Sequence, residues 1–258
     1  KIYDEMIDFA KYAFNKSHAA AYAVVSYQTA WLKYYYPVEF MAALMTSVID
    51  NPGKVSEYIY SCRQMGIKIL PPDINKGEGS FSVDGGNIRY GLAAIKSIGK
   101  PVIESIIQER KNGGEFSNLK DFIERLSGKE VNKRTIESFI KSGAFDSLGG
   151  TRKQFMVVYV QILDQVNRER KYSMTGQLSL FDIVSDDQKS EFDIPLPDVG
   201  EYEKETKLAF EKEVLGVYLS GHPLEDYEEK WKKNISRTTL DFQIDDETGR
   251  TKVHDGAK

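Results

Sequence analysis

Leu92-Ala93-Ala94-Ile95-Lys96-Ser97-Ile98-Gly99-Lys100-Pro101-Val102-Ile103-Glu104-Ser105-Ile106-Ile107 is the stretch on which the fold turns. Apolar residues at 92, 95, 98, 102, 103, 106 and 107 make a helical stripe interrupted by Ser97-Ile98-Gly99-Lys100-Pro101, so the spacing predicts two short helices meeting at a tight turn. That is a helix-hairpin-helix pattern. Glycine permits close backbone approach, the second helix opens with exposed N–H groups, and Lys96 and Lys100 add positive charge. These are the ingredients of a phosphate clamp, though the same residues also suit a plain helical turn.

A second unit follows. Ser117 opens a helix carrying Leu119, Phe122, Ile123 and Leu126, Ser127-Gly128-Lys129 makes a turn, and Asn132-Lys133-Arg134 begins a helix bearing Ile136, Phe139 and Ile140. The repetition predicts a tandem arrangement. It lacks the hydrophobic-Gly-hydrophobic-Gly signature, so readout of base sequence is not implied. A further glycine-rich turn over 142–150 leads into Thr151-Arg152-Lys153 and a long helix with Phe155, Tyr159, Ile162 and Val166 on one face. A phosphate backbone clamped by these turns would be expected to meet Lys96, Ser97, Ile98, Gly99, Lys100, Lys129, Lys133, Arg134, Arg152 and Lys153.

Upstream, Ser17 is expected to cap a helix running from His18 to Lys33 and stopped by Pro37. Pro37 or Val38 opens a second, with Phe40, Met41, Leu44, Met45 and Val48 at helical spacing, and a third runs from about Pro52 to Met65 with Gly66 as its stop. These three are expected to pack together. Ile67 to Pro72 is too short for a helix and reads as a strand or extended connector. Phe81-Ser82-Val83 and Asn87-Ile88-Arg89-Tyr90 flank Asp84-Gly85-Gly86 and read as a small β-hairpin.

Downstream, residues 172 to about 197 read as a linker carrying Gln177-Leu178-Ser179-Leu180-Phe181. One amide and two apolar anchors on a polar stretch suit docking into a partner's cleft; they would equally anchor the linker to its own domain. Charge is segregated around this point. Residues 89–171 hold 16 Lys and Arg against 10 Asp and Glu, whereas 182–229 hold 4 against 15. The basic part could face phosphates or be an ordinary solvated helix surface; the acidic part could not face phosphates.

At 258 residues and 41% hydrophobic, the chain is long enough to bury a sizeable core. The single cysteine, Cys62, excludes an internal disulfide framework, and neither a CxxC nor a His/Cys cluster offers a zinc site. A reducing cytoplasm fits best. No apolar run is long enough to span a membrane, and the opening Lys1-Ile2-Tyr3-Asp4-Glu5 reads as the start of an excised fragment.

Several ordered blocks resemble the bacterial replicative DNA polymerase III alpha subunits, the C-family polymerases. They are Phe14 to Ala23, Ser26 to Lys33, Tyr36 to Ala43, Ile69 to Asn75, Tyr90 to Lys96, Ser142 to Asp146 and Gly216 to Pro223. The resemblance covers nearly the whole chain and is weakest over the last residues. It implies a mainly α fold: helical distal fingers over 1–79, a β-hairpin and tandem helix-hairpin-helix domain over 80–171, a linker with a clamp motif over 172–200, and a helical approach over 201–258 to an OB domain lying beyond.

The resemblance also implies roles. Gln177, Leu178, Ser179, Leu180 and Phe181 fit the family's sliding-clamp motif, and Tyr12, Phe14, Asn15, Lys16, Ser17 and His18 fall where the fingers meet nucleotide and template. His18 would otherwise bond at a helix start, and Tyr12 and Phe14 would pack in a core. The parent would use magnesium ions and deoxynucleoside triphosphates, held by palm carboxylates upstream of Lys1; Asp182, Asp186 and Asp187 stand on the linker and are no substitute. The fragment is therefore expected to lack cofactor and catalysis, and to partner duplex DNA through its backbone, a sliding clamp and the rest of the polymerase holoenzyme, with no membrane. A free-standing helix-hairpin-helix scaffold recruited by a clamp is the alternative. Ser97 departs from the stronger form of the motif, which carries glycine there.

Overall fold

The computed structural model describes residues 2–12, 16–128, 131–174, 194–237, 242, 251 and 253. Four helices lead: α1 (Ile2–Tyr12), α2 (Lys16–Tyr35), α3 (Pro37–Ser47) and α4 (Pro52–Gln64). Proline stands at the start of both α3 and α4, where its missing N–H costs nothing, and the Asn51 side chain caps α4 by accepting from the Lys54 amide at 3.1 Å. α3 buries Met41, Ala42 and Met45, and α4 buries Val55, Ile59 and Cys62.

α2 is different. It buries no residue, and Tyr22, Tyr27, Trp31 and Tyr34 are exposed. α2 thus meets α3 without burying a side chain, and the three-helix packing expected from the sequence builds core only in α3 and α4. The apolar residues of α2 are spread around the helix and form no single stripe to seat on α3. The helix also begins at Lys16, which places Ser17 inside the first turn and not at the cap.

A three-stranded sheet follows, in the order β1 (Ile69–Leu70), β3 (Asn87–Arg89), β2 (Ser82–Asp84). β2 and β3 form the expected hairpin, with Val83 opposite Ile88, and Gly85 and Gly86 take φ of 57° and 80°, the left-handed pair that a two-residue turn needs. β1 joins parallel to β3 with Ile69 opposite Ile88, so the connector is a strand. This pairing crosses the boundary expected at residue 79. So do the bonds from Arg110 to the carbonyls of Ile74 at 3.0 Å and Gly77 at 2.7 Å, and the two-way pairing of the Asn75 side chain with the Phe116 backbone.

The helical region comprises α5 (Lys100–Gly113), α6 (Leu119–Arg125), α7 (Lys133–Ser142) and α8 (Arg152–Met174). Its core is aromatic: Phe122 stands edge-on to Phe116, Phe139 and Phe145 at centroid distances of 5.1, 6.0 and 4.9 Å, and Phe145 meets Phe155 at 6.4 Å. Such tilted pairs add to the burial of the rings themselves.

α9 (Lys204–Val214) packs on α7 and belongs to the same body. Its terminal carbonyls are taken by the first hairpin: the Tyr90 hydroxyl donates to Leu215 O at 3.1 Å, the Lys96 amide to Val214 O at 2.8 Å and the Lys96 ammonium to Glu213 O at 3.0 Å. The chain divides after Leu219 and not at residue 200. In the second unit, a 3-10 turn (Glu225–Tyr227) leads into α10 (Glu228–Asn234).

Candidate nucleic-acid interface

At the first hairpin the leading helix is a single 3-10 turn, Leu92–Ala94, where the sequence predicts a short helix. Ile95 is already extended at φ −78°, ψ 124°, and the next amide is committed to Val214, so the helix cannot continue. Ser97 then takes φ 69° and is the one non-glycine residue at positive φ among those described. Gly99 is extended at φ −79°, ψ 151°, an ordinary conformation for any residue. The freedom of glycine is thus needed at 97, where serine stands.

Gly99 and Lys100 are exposed, Ile98 is half-buried against the core, and the amides of Gly99 and Lys100 meet no backbone acceptor among the described residues. Lys96 is occupied in closing α9. Lys100 is the cation that this turn presents outward.

At the second hairpin α6 ends in Leu126, and Gly128 takes φ 81°. Lys129 lies outside the described residues. Asn132 caps α7, its Oδ1 accepting from the Thr135 amide at 3.1 Å. Lys133 and Arg134 are exposed in the first turn, with Lys133 3.4 Å from Asp164. Neither α5 nor α7 has a carboxylate in its first turn. Cations at the positive end of a helix are unfavourable alone and are relieved by an external anion.

The backbone amides at the start of α8 are closed to such a ligand and the Arg152 side chain is turned away from it, which corrects the expectation for Arg152. Glu201 lies across its start and accepts from the backbone amides of Arg152 and Lys153, each at 3.3 Å. The Arg152 guanidinium is 5% exposed and turns inward, where Nη2 donates to Asp146 at 2.8 Å and Nη1 to Glu211 at 3.3 Å. Burial alone would lower its pKa; hydrogen bonds and charge from Asp146 and Glu211 outweigh that and raise it. Arg125 is likewise structural, lying over the Phe116 ring at 4.2 Å and bonding the Glu109 and Gly114 carbonyls.

The last turns of α8 bring residues to this surface that sequence reasoning passed over. Arg168 and Arg170 line an open cleft beside the second hairpin. Their spacing from Lys133 in sequence gives no sign of this; only the packing of α7 and α6 on α8 does so.

In the first block, Lys16, Ser17 and His18 are exposed at the start of α2, and the His18 ring is 4.3 Å from that of Tyr22. Phe14, Asn15 and the side chain of Tyr12 lie outside the described residues, as does the whole of Gln177 to Phe181. Among the described residues no group of three or more His, Cys, Asp or Glu side chains could hold a metal ion. Nor, among them, is any helix long and apolar enough to cross a membrane.

Residues 66–155 match the family described as helix-hairpin-helix motif. The chain is 44% identical to DNA polymerase III subunit alpha of Mycobacterium tuberculosis over 226 residues, which is 86% of this chain and 19% of that protein. For the subunit of Vibrio cholerae the identity is 44% over 237 residues, 92% of this chain and 20% of the relative; for that of Escherichia coli K12 it is 41% over 251 residues, 97% and 22%. The chain spans about a fifth of the length of these relatives. Over most of its own length it is thus homologous to DNA polymerase III subunit alpha.

Proposed function

We propose, from its homology to DNA polymerase III subunit alpha, that this chain is the part of such a polymerase that grips duplex DNA and attaches to a sliding clamp, without performing the chemistry. The observation that carries the reading is the pair of outward basic helix starts, Lys100 on α5 and Lys133-Arg134 on α7, neither countered by a carboxylate in its first turn. Backbone amides and cations at such turns hold phosphates and ignore base identity, which suits a polymerase that must pass over every sequence. Gln177 to Phe181 would tether the chain to a ring around the same duplex. Two weak contacts joined through one duplex raise effective concentration and yield processive synthesis.

The magnesium ions and nucleotides belong, in this reading, to the remainder of the polymerase, as does the surface against which exposed α2 would pack. Lys16 and His18 would stand near the incoming nucleotide only in that assembly. The site of action is the bacterial cytoplasm.

The test is calorimetric titration of the chain against a bacterial sliding clamp, beside Leu180→Ala/Phe181→Ala. Micromolar binding that the double variant loses is expected. Equal binding by both chains would remove the pentapeptide from the account, and no binding by either would leave DNA grip as the chain's own activity.

A further inference from the structure

We infer that the phosphate grip of the second hairpin is completed by the last turns of α8, where Arg168 and Arg170 together with the turn at Gly128 form a cleft for the backbone phosphates of duplex DNA. The inference rests on the reading of the hairpin region as a duplex-binding module and assigns part of that surface to a helix outside the hairpins. The cleft has a volume of about 860 Å³ and among the described residues is lined by Asp164, Asn167, Arg168, Arg170 and Lys171.

Three observations place it on the hairpin. The Arg170 guanidinium lies against Gly128, so closely that a methyl group on that residue would overlap it. Gly128 has φ 81° and belongs to the turn leading into α7. Lys133, in the first turn of α7, reaches Asp164 on α8 at 3.4 Å, and the Arg168 Nε donates to the Asp164 carbonyl at 3.2 Å. Lys133, Arg168 and Arg170 therefore stand around the same end of α8, and among the described residues the carboxylate that lines the cleft is Asp164.

The chemistry of that surface favours phosphates in series. Arg168, Arg170, Asn167 and Lys133 are exposed, so their charges are hydrated and hold a single small anion weakly. A duplex presents closely spaced phosphates with condensed counterions, and each one neutralised releases a counterion. The guanidinium also offers paired N–H groups to two oxygens of one phosphate, which an ammonium does not. Asp164 opposes such a ligand, and this gives the assignment a sign to test.

The experiment is a fluorescence-anisotropy titration of the full chain with a short mixed-sequence DNA duplex over a series of salt concentrations. Arg168→Ala/Arg170→Ala is expected to weaken binding about tenfold and to lower the slope of log affinity against log salt by about 2. Asp164→Asn is expected to strengthen binding about threefold, since it removes the carboxylate that lines the cleft and releases Lys133. Lys68→Ala/Lys76→Ala, an equal loss of exposed charge elsewhere, should leave the slope within error. If the wild-type chain binds and the slope is unchanged in the α8 double variant, the cleft is not part of the grip. Should that variant unfold, an unchanged or weaker affinity in Asp164→Asn overturns the assignment by itself. A wild-type chain that binds no duplex overturns the underlying reading instead.

Discussion

The Arg152 guanidinium on α8 and the Glu211 carboxylate on α9 face each other at 3.3 Å with side chains only 5% and 1% exposed. The pair is closed on both sides, since Asp146 takes the other edge of the guanidinium and the Glu211 Oε2 accepts the Leu219 amide at 2.9 Å. Removing one partner leaves a charge buried without compensation. Arg152→Ala is accordingly expected to lose about 3–5 kcal/mol of stability in urea unfolding. A loss below about 1 kcal/mol would mean that Glu211 is reached by water.

Ser97 stores strain at the first turn, because φ 69° places its Cβ against the backbone. Ser97→Gly should stabilise the chain by ~0.5–1 kcal/mol, the relief of strain exceeding the added freedom of the unfolded glycine. Ser97→Val should destabilise it, since a branched side chain fits this region worst. Equal urea midpoints for all three chains would place no strain here.

Gly91→Ala tests how the sheet hands over to the hairpin. A methyl group there would lie 2.7 Å from Gly79 O and from the Ser80 carbonyl carbon, and 2.9 Å from the Phe81 amide, all backbone atoms that cannot swing aside. We expect a loss of about 1–3 kcal/mol, or more, in thermal or urea unfolding.

Lys100→Ala/Lys133→Ala/Arg134→Ala should weaken duplex binding and lower the salt slope by about 3, equally for unrelated DNA sequences. A loss confined to one DNA sequence would mean base readout and contradict a backbone grip. Arg152→Met should leave the slope unchanged provided that the chain folds, since its guanidinium is buried.

Stability should fall as pH rises above about 9. Burial pushes the Cys62 thiol from 9.0 up to about 11 and raises Tyr90 as well. Burial lowers Lys141, but hydrogen bonds and charge from Glu137 and Glu213 more than reverse this and raise it. For each group the folded pKa exceeds the unfolded one, so the folded state holds more protons in this window. The contribution is complete below the unfolded pKa and is lost as pH climbs through the folded value, at a slope near 1.4 kcal/mol per pH unit for one proton. Cys62→Ala should flatten the profile between pH 9 and about 11 in urea unfolding; an unchanged profile would assign the loss to other groups.

The hairpin geometry shows what is local and what is not. Asp84-Gly85-Gly86-Asn87 contains its own turn conformation, and Asn132 before Lys133 is a helix cap within three residues, so both were legible from the chain alone. Arg152 looked like Lys133 in sequence, a cation at a basic helix start. Its guanidinium is held inward by Asp146 and by Glu211, and Glu211 comes to it from far along the chain, which no local pattern announces. α2 differs the opposite way: its sequence predicts packing with α3 and α4, yet its apolar residues do not line one face and none is buried, because a hydrophobic residue is buried only where a partner surface exists.

The sequence by itself determined the short-range features: mainly helical elements with one hairpin, the tandem glycine turns, and homologous blocks that run through nearly the whole chain. These follow from dihedral preferences and hydrophobic period, which act over a few residues. Tertiary structure alone decided which cations remain outside. Lys96 closes α9, Arg152 holds α8 to α9, and Arg168 and Arg170 line the cleft beside Gly128. The physical reason is that a charge is spent or available according to the carbonyls and carboxylates that packing brings within hydrogen-bond reach, and those come from distant parts of the chain.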